Sequence, residues 1–390
     1  MVSKTKIYSK LLVLTFLASL ALPGILAMLP IETANRFINE NRRLSPFPDI
    51  KMAAKAIEQF PRGFERYFDD HFQLRDYLIL GYNWIKIRIW KRSSNQKVII
   101  GGDGWLFLAG DRVLEDFLSM NLFSIEQLEA RRKLLEGKRN WLAKKGIRYL
   151  FVVPPNKQSI YSEFMPKAYR RLKGQSRLDQ FVAYMQKHSD VDILDLRLAL
   201  KGAKSDHQVF FRQDTHWNQL GGLIASRAIF RAVNHSLALD TSRHPIRELE
   251  DYRIRFEERK KQGDLARLMG YPAETMDQAY IIEPKFELVS NKNILPDFLG
   301  RSWDPMPAPF VLEGPPSGLR CVVFHDSFAM SVAPYFPEHF QRSMFVWQRN
   351  PTGEVFKSVV EAEHPDIVIE EVAERFLYYL ETGSEYLPLE

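Results

Sequence analysis

"CVVFHDSFAMS", Cys321 to Ser331, is the stretch from which the fold class can be read. Cys321 to Phe324 form an unbroken apolar run, the character of a strand buried on both faces, as in parallel sheets. The run stops at His325, Asp326 and Ser327, and an apolar-faced helix is expected to begin after Ser327. In open α/β sheets, ligand sites lie at the carboxyl ends of strands. A serine in that position can expose its hydroxyl and direct its backbone N–H toward a developing oxyanion. The competing role for Ser327 is a helix N-cap, worth about 1 kcal/mol and common.

The same pattern extends to both sides. "SIEQLEARRKLLEGKRNWLAKKG" (Ser124 to Gly146) reads as a serine-capped helix, and "IRYLFVV" (Ile147 to Val153) as a buried strand stopped by Pro154 and Pro155. A helix over Ser176 to His188 and a short strand over Val191 to Leu194 follow, then a helix in "NQLGGLIASRAIFRAV". After Cys321, "SMFVWQ" and "DIVIEEV" read as further strands, with a helix between each. Strands separated by helices predict a parallel sheet covered on both faces. "VIIGGDGWLFL" (Val98 to Leu108) reads as a hairpin around Asp103-Gly104, its glycines serving turn geometry. Residues 240–318 are irregular and rich in proline, and read as an insertion or lid.

Before this domain, residues 52–90 place Phe60, Phe64, Tyr67, Phe68, Phe72, Tyr77 and Trp84 at helical spacings, which predicts a packed aromatic face. The N-terminus is basic, and Leu11 to Leu29 contains no charge over 19 residues, close to the roughly 20 needed to span a bilayer. An uncleaved anchor is expected, with its lysines inside and the rest exported to the periplasm. The alternative is a cleaved secretory signal, for which Ser19 and Ala21 supply a small-x-small site. The organisation expected is therefore a membrane segment over 1–30, a connector and helical segment over 31–97, and a catalytic domain over 98–390.

The net charge of +6 owes half its value to Lys4, Lys6 and Lys10, which precede the first acidic residue, Glu32. It argues weakly for nucleic acid, and a mildly basic surface equally suits an acidic polymer. A single cysteine, Cys321, excludes an intrachain disulfide without excluding the periplasm.

A serine nucleophile needs a base within hydrogen-bond reach, and that base needs an orienting acceptor. "RQDTHWN" (Arg212 to Asn218) supplies both in Asp214 and His216. In an extended segment, residues two apart face the same way, so the carboxylate can lie beside the imidazole, with Trp217 screening the pair from water. Taken alone, Asp-x-His is an ordinary surface pair or a packed histidine. Combined with Ser327, it makes catalysis the better reading of both motifs. Asn156 and Lys157 follow a strand end, where they are candidates for substrate or oxyanion contacts, with a loop-turn role as the alternative. Tyr161 is a candidate for a sugar site or for packing. Asp326 is an alternative orienter or a structural hydrogen-bonding group. His207 with Asp214 and His216 lacks zinc spacing, and no metal or nucleotide cofactor is expected.

"DTHWN", followed about a hundred residues later by "HDSF", resembles the alginate O-acetyltransferase family. Supporting stretches are "ENRRLSPFP", "GGDGWLFL", "VVPPNKQSIY", "QGDLARLMG" and "HPDIVIEEVAERFL". The resemblance implies a permuted SGNH-hydrolase-like α/β domain, in which Ser327 is the nucleophile, His216 the general base and Asp214 its orienter. It also implies an exopolysaccharide acceptor such as alginate and a multispanning membrane O-acyltransferase as acetyl donor. His325 stands where SGNH enzymes usually carry glycine. A carbohydrate esterase and a non-catalytic polysaccharide-binding assembly protein are the alternatives.

Overall fold

The structure is a computed structural model that describes residues 4–27, 45–48, 54–71, 75–90, 92–259, 262–270, 277–288, 290–295, 307–316 and 318–387, a few of them by backbone alone. The chain divides into two compact units, Met1–Asn95 with Ala266–Thr275, and Gln96–Leu265 with Met276–Glu390.

In the first unit, Lys4–Ala27 is a single helix of 24 residues, and Leu11, Leu12, Leu14, Phe16 and Leu17 on it are exposed. The Thr15 and Ser19 hydroxyls donate back to the Leu11 and Phe16 carbonyls at 2.7 Å, which satisfies them without solvent. Among the described residues no helix is long and apolar enough to cross a membrane. The anchor expected over Leu11–Leu29 runs beyond the described residues at Met28 and Leu29, and most of the expected connector lies outside them as well. In the helix Ala54–His71, Phe60, Phe64 and Tyr67 gather around Phe47, with ring centroids 5.1 to 6.4 Å apart. Phe64, Phe68 and Trp84 are nevertheless exposed, so the aromatic face expected to be packed is covered only in part. Phe72 lies outside the described residues.

The second unit is built on a seven-stranded sheet. Its strands in chain order are β3 (Arg148–Val153), β4 (Asp192–Asp195), β7 (Asn291–Ile294), β8 (Phe310–Glu313), β9 (Arg320–Phe324), β10 (Arg342–Val346) and β11 (Ile367–Glu371). The hairpin β1 (Val98–Ile100) and β2 (Leu106–Leu108) precedes them, with the pairing expected around Asp103-Gly104. A second hairpin, β5 (Tyr252–Arg259) with β6 (Asp277–Pro284), forms a separate two-stranded sheet. The spatial order is β4-β3-β11-β9-β10-β8-β7.

The first five of these strands are parallel, whereas β8 and β7 join antiparallel at the edge. The sheet is thus mixed, which corrects the wholly parallel sheet expected. The two extra strands come from the stretch read as irregular. Four-residue strands separated by a proline-rich stretch leave too short an alternation to be recognised from sequence.

Alternate residues of each central strand face opposite layers, as the pleat requires. Leu150, Val152, Cys321, Val323, Ile367 and Ile369 pack toward the helix Gln219–Ser236. Tyr149, Phe151, Val322, Phe324 and Val368 pack toward Ile125–Ala143, Arg177–His188 and Gly353–Glu363. Both faces are covered, as expected. Ser124 and Ser176 each close a capping box at the start of their helices, and Asn218 caps the third by accepting from Gly221 N–H.

After β9, the helix expected beyond Ser327 is two successive 3-10 segments, Ser327–Ser331 and Ala333–Glu338. Pro334 and Pro337 cannot donate backbone hydrogen bonds, which disfavours a continuous α-helix there.

Candidate active site

Asp214 and His216 lie on the loop that links Phe210 to Trp217, two residues bridged across the loop in antiparallel fashion. The loop is a turn rather than the extended segment expected. Asp214 Oδ1 accepts the His216 backbone N–H at 3.1 Å, an Asx-type contact that draws the carboxylate against the next residues. The same oxygen accepts from His216 Nδ1 at 2.7 Å. That contact leaves Nε2 as the unprotonated nitrogen, and it lies 2.8 Å from Ser327 Oγ. Ser327 sits just beyond the carboxyl end of β9, so residues 111 positions apart meet at the strand end. Such a chain can pass the serine proton to the imidazole while the carboxylate stabilises the imidazolium that forms. The His216 side chain is 29% exposed, so the base is open to an incoming hydroxyl.

Ser327 is not the helix cap. That role belongs to Asp326, whose Oδ1 accepts Phe328 N–H at 3.0 Å. Its other oxygen accepts Ala373 N–H at 2.9 Å, and its own N–H donates to Glu371. Asp326 therefore ties the serine turn to the end of β11 and does not touch His216.

Lys157 lies behind the loop, only 2% exposed. Its ammonium donates to the carbonyls of Phe211, Arg212 and Asp214 at 3.1, 2.9 and 2.7 Å. Burial pushes this amine down to about 7, opposed by the nearby carboxylates of Asp264, Asp277 and Asp214. All three donors are spent on main chain, so the lysine shapes the loop that carries Asp214 and His216.

Asn156 donates its backbone N–H to Glu374 at 2.7 Å and lines a cavity of about 100 Å³ with Ser159, Lys173 and Arg197. Burial, reinforced by Asp116, pushes the Glu374 carboxyl up to about 7. None of the triad residues lines that cavity. Tyr161 is buried, stacks on Trp105 at 4.2 Å, and its hydroxyl accepts Val209 N–H at 2.9 Å, all of which is packing. Trp217 is 2% exposed and donates its indole N–H to Ser331 Oγ. Phe328 lies edge-on to Trp217, with centroids 4.9 Å apart, and 5.0 Å from the His216 ring. The tryptophan thus joins the two halves of the site through Ser331 and Phe328, and it is Phe328 that lies against the His216 ring.

One carboxylate was missed. Asp264, in the "QGDL" stretch, accepts Thr215 N–H at 2.7 Å and the Thr215 hydroxyl at 2.5 Å. Its Oδ2 is 3.7 Å from His216 Nδ1, and its backbone N–H donates to the second oxygen of Asp214 at 3.3 Å. The preceding Gly263 explains the motif: a Cβ there would come within 2.2 Å of the Gln213 carbonyl oxygen. Only glycine lets this segment lie flat against the loop, a requirement that spacing alone does not reveal.

The ligand atoms of Asp214, His216 and Asp264 all lie within 4.8 Å of one another, close enough to share a cation. The three groups are already joined by the hydrogen bonds just described. A metal would have to displace the imidazole from Asp214.

Residues 98–287, just under half the chain, match the family described as SGNH hydrolase-like domain, acetyltransferase AlgX. The match takes in Asp214, His216 and Asp264 and ends before Ser327. A Pseudomonas aeruginosa protein named probable alginate O-acetylase AlgJ is 28% identical over 205 residues, 52% of this chain and 48% of its own. The chain thus spans about half the length of this curated relative. Among solved structures, Bacillus cereus PatB1 with sulfonyl adduct aligns over 76% of this chain and 100% of its own, with a TM-score of 0.52 at 15% identity. A DHHW family protein from Eubacterium siraeum aligns over 76% and 94%, with a TM-score of 0.51 at 15% identity. The SGNH-like α/β fold and the resemblance to the alginate O-acetylases read from the motifs are both found by these comparisons.

Proposed function

We propose that the chain is an O-acetyltransferase that acetylates hydroxyls of an exported polysaccharide, alginate or a similar exopolysaccharide. The observation that carries this reading is the continuous relay from Asp214 Oδ1 through His216 to Ser327 Oγ, at 2.7 and 2.8 Å. In the first step His216 Nε2 takes the serine proton as Oγ attacks the acetyl carbonyl. The proton then passes to the departing donor group, leaving acetyl-Ser327. In the second step a sugar hydroxyl loses its proton to His216 and attacks the acetyl carbon, and Ser327 regains a proton as it leaves. The Ser327 backbone N–H is the oxyanion donor we assign.

The acetyl donor in this reading is supplied by a multispanning membrane O-acyltransferase. The N-terminal helix holds the chain at the bacterial inner membrane, with the catalytic domain in the periplasm. The alternative is a cleaved signal and a soluble periplasmic protein. An intact N-terminus in the membrane fraction is the expected result, and a mature N-terminus near Leu22 would overturn the anchor.

Incubating the protein with an acetyl ester, with and without uronate oligosaccharide, tests the activity. Acetylated oligosaccharide is expected. Acetate release alone would select the esterase reading, which the exposure of His216 favours because water reaches the base as readily as a sugar does. Neither product would sink both.

A further inference from the structure

A second cavity, of about 230 Å³, opens on the same edge of the sheet as Ser327. His325, Trp347, Arg349, Asn350, Tyr379 and Tyr386 contribute to its wall, as does Glu381, whose carboxylate accepts the Tyr386 hydroxyl. His325 directly follows β9 and Trp347 directly follows β10, and the His325 N–H extends the pairing of these strands by donating to the Val346 carbonyl at 3.0 Å. Asp326 is extended at φ −109° and ψ −160°, so His325 lies roughly 7 Å along the chain from Ser327.

The wall has the composition of a sugar site. Trp347, Tyr379 and Tyr386 offer aromatic rings, and the electron-rich face of such a ring attracts the C–H face of a pyranose. The remaining groups are a few polar ones fixed in place, as small-ligand sites require. Asn350 is held at both ends, accepting from Lys138 Nζ at 3.2 Å and donating to the Glu381 carbonyl at 3.0 Å. His325 is 1% exposed and donates Nδ1–H to the Asp326 carbonyl at 2.7 Å, which leaves Nε2 as a lone-pair acceptor. That nitrogen has no hydrogen-bond partner among the described residues. A buried acceptor without a donor is costly, and the ring that carries it belongs to the cavity wall. Burial pushes the His325 ring down to about 4, which keeps it neutral and accepting at physiological pH. Arg349 is exposed and lies over the Phe376 ring at 4.1 Å, with no carboxylate paired to it among the described residues. A planar guanidinium is suited to a carboxylate.

We propose that this cavity is an acceptor subsite holding one hexuronate ring of an acidic polysaccharide, with Trp347 stacked on the sugar and Arg349 on its carboxylate, beside the unit acetylated at Ser327. The proposal rests on the acetyltransferase reading for its purpose, and on the cavity for its chemistry. It gives a role to the histidine that departs from the glycine usual before Asp-Ser.

The test uses the full chain carrying Ser327→Ala, so that binding is measured without turnover. Calorimetric titration with a uronate hexamer prepared from alginate is compared with the same hexamer after its carboxyls are reduced to alcohols. Trp347→Ala is expected to weaken binding of both by ten-fold or more. Arg349→Gln is expected to weaken the uronate about five-fold and the reduced oligomer hardly at all. Wild-type affinity in both variants would overturn the subsite, as would failure of the parent to bind either oligomer. The transfer assay on the unsubstituted chain is separate: loss of the acetyltransferase reading appears there, and loss of the subsite appears here.

Discussion

Ser327→Ala is expected to lower acetyl transfer by on the order of 10⁴-fold or more while moving the melting temperature by no more than about 2 °C. The two halves of that expectation have different physical origins. Activity collapses because the proposed nucleophile is gone, and among the described residues no other hydroxyl is placed against His216 Nε2 as Ser327 is. Stability holds because the cap of the 3-10 turn is Asp326, whose hydrogen bonds to Phe328 and Ala373 do not involve the serine hydroxyl. Were Ser327 the cap, its loss would cost about 1 kcal/mol of stability and little activity. His216→Ala should be about as damaging to transfer as Ser327→Ala. Asp214→Ala should leave more residual rate, since its part is to hold and compensate the imidazole. The double variant of Ser327 and His216 decides whether they act as one unit. Either single change should already reach the floor, and the double should add nothing. Losses that multiply would mean that the residues act independently and would sink the mechanism.

Lys157→Met is expected to produce the largest loss of stability, about 2–4 kcal/mol, together with a fall in kcat at nearly constant KM. Methionine keeps much of the stem volume but strands three carbonyls, those of Phe211, Arg212 and Asp214. Some of the cost is offset, because burying the ammonium is itself unfavourable, as the lowered proton affinity of Lys157 indicates. The catalytic effect follows from position: the carbonyl that Lys157 holds most closely belongs to Asp214, so a relaxed loop misplaces the imidazole. Lys157→Arg should rescue poorly, because a flat guanidinium cannot direct three donors into a compact carbonyl cradle. Chemical denaturation and steady-state kinetics check both parts. A substrate-contacting lysine would give the opposite pattern, a raised KM at unchanged stability.

Asp264 carries a related lesson about motifs. The sequence exposes "QGDL" as a recognisable stretch, but its purpose is legible only after Gly263 is seen lying against Gln213 and the carboxylate against Thr215. Charge and spacing gave no reason to pair it with a histidine 48 positions earlier.

The sequence by itself determined the parts of this protein that depend on local pattern. The apolar runs at Tyr149–Val153, Cys321–Phe324 and Ile367–Ile369 identified the central strands, since a strand buried on both faces is hydrophobic along its centre. Ser124, Ser176 and Asn218 marked helix starts, since capping is a contact within four residues. Asp214, His216 and Ser327 could be singled out as candidates from residue type, because few groups can serve as orienter, base and nucleophile. Tertiary structure alone decided the remainder. The strands β7 and β8 are too short to announce themselves and are fixed by pairing, β8 with β10 and β7 with β8. Lys157 is a clamp, and Asp326 ties the serine turn to the end of β11, because of atoms brought in from residues more than 40 positions away. The 2.8 Å contact between His216 and Ser327 spans 111 residues, and only the packing of the loop against the end of β9 sets it. Local pattern selects which residues are able to act, while distances between segments arise from the packing of the whole sheet, which no short stretch encodes.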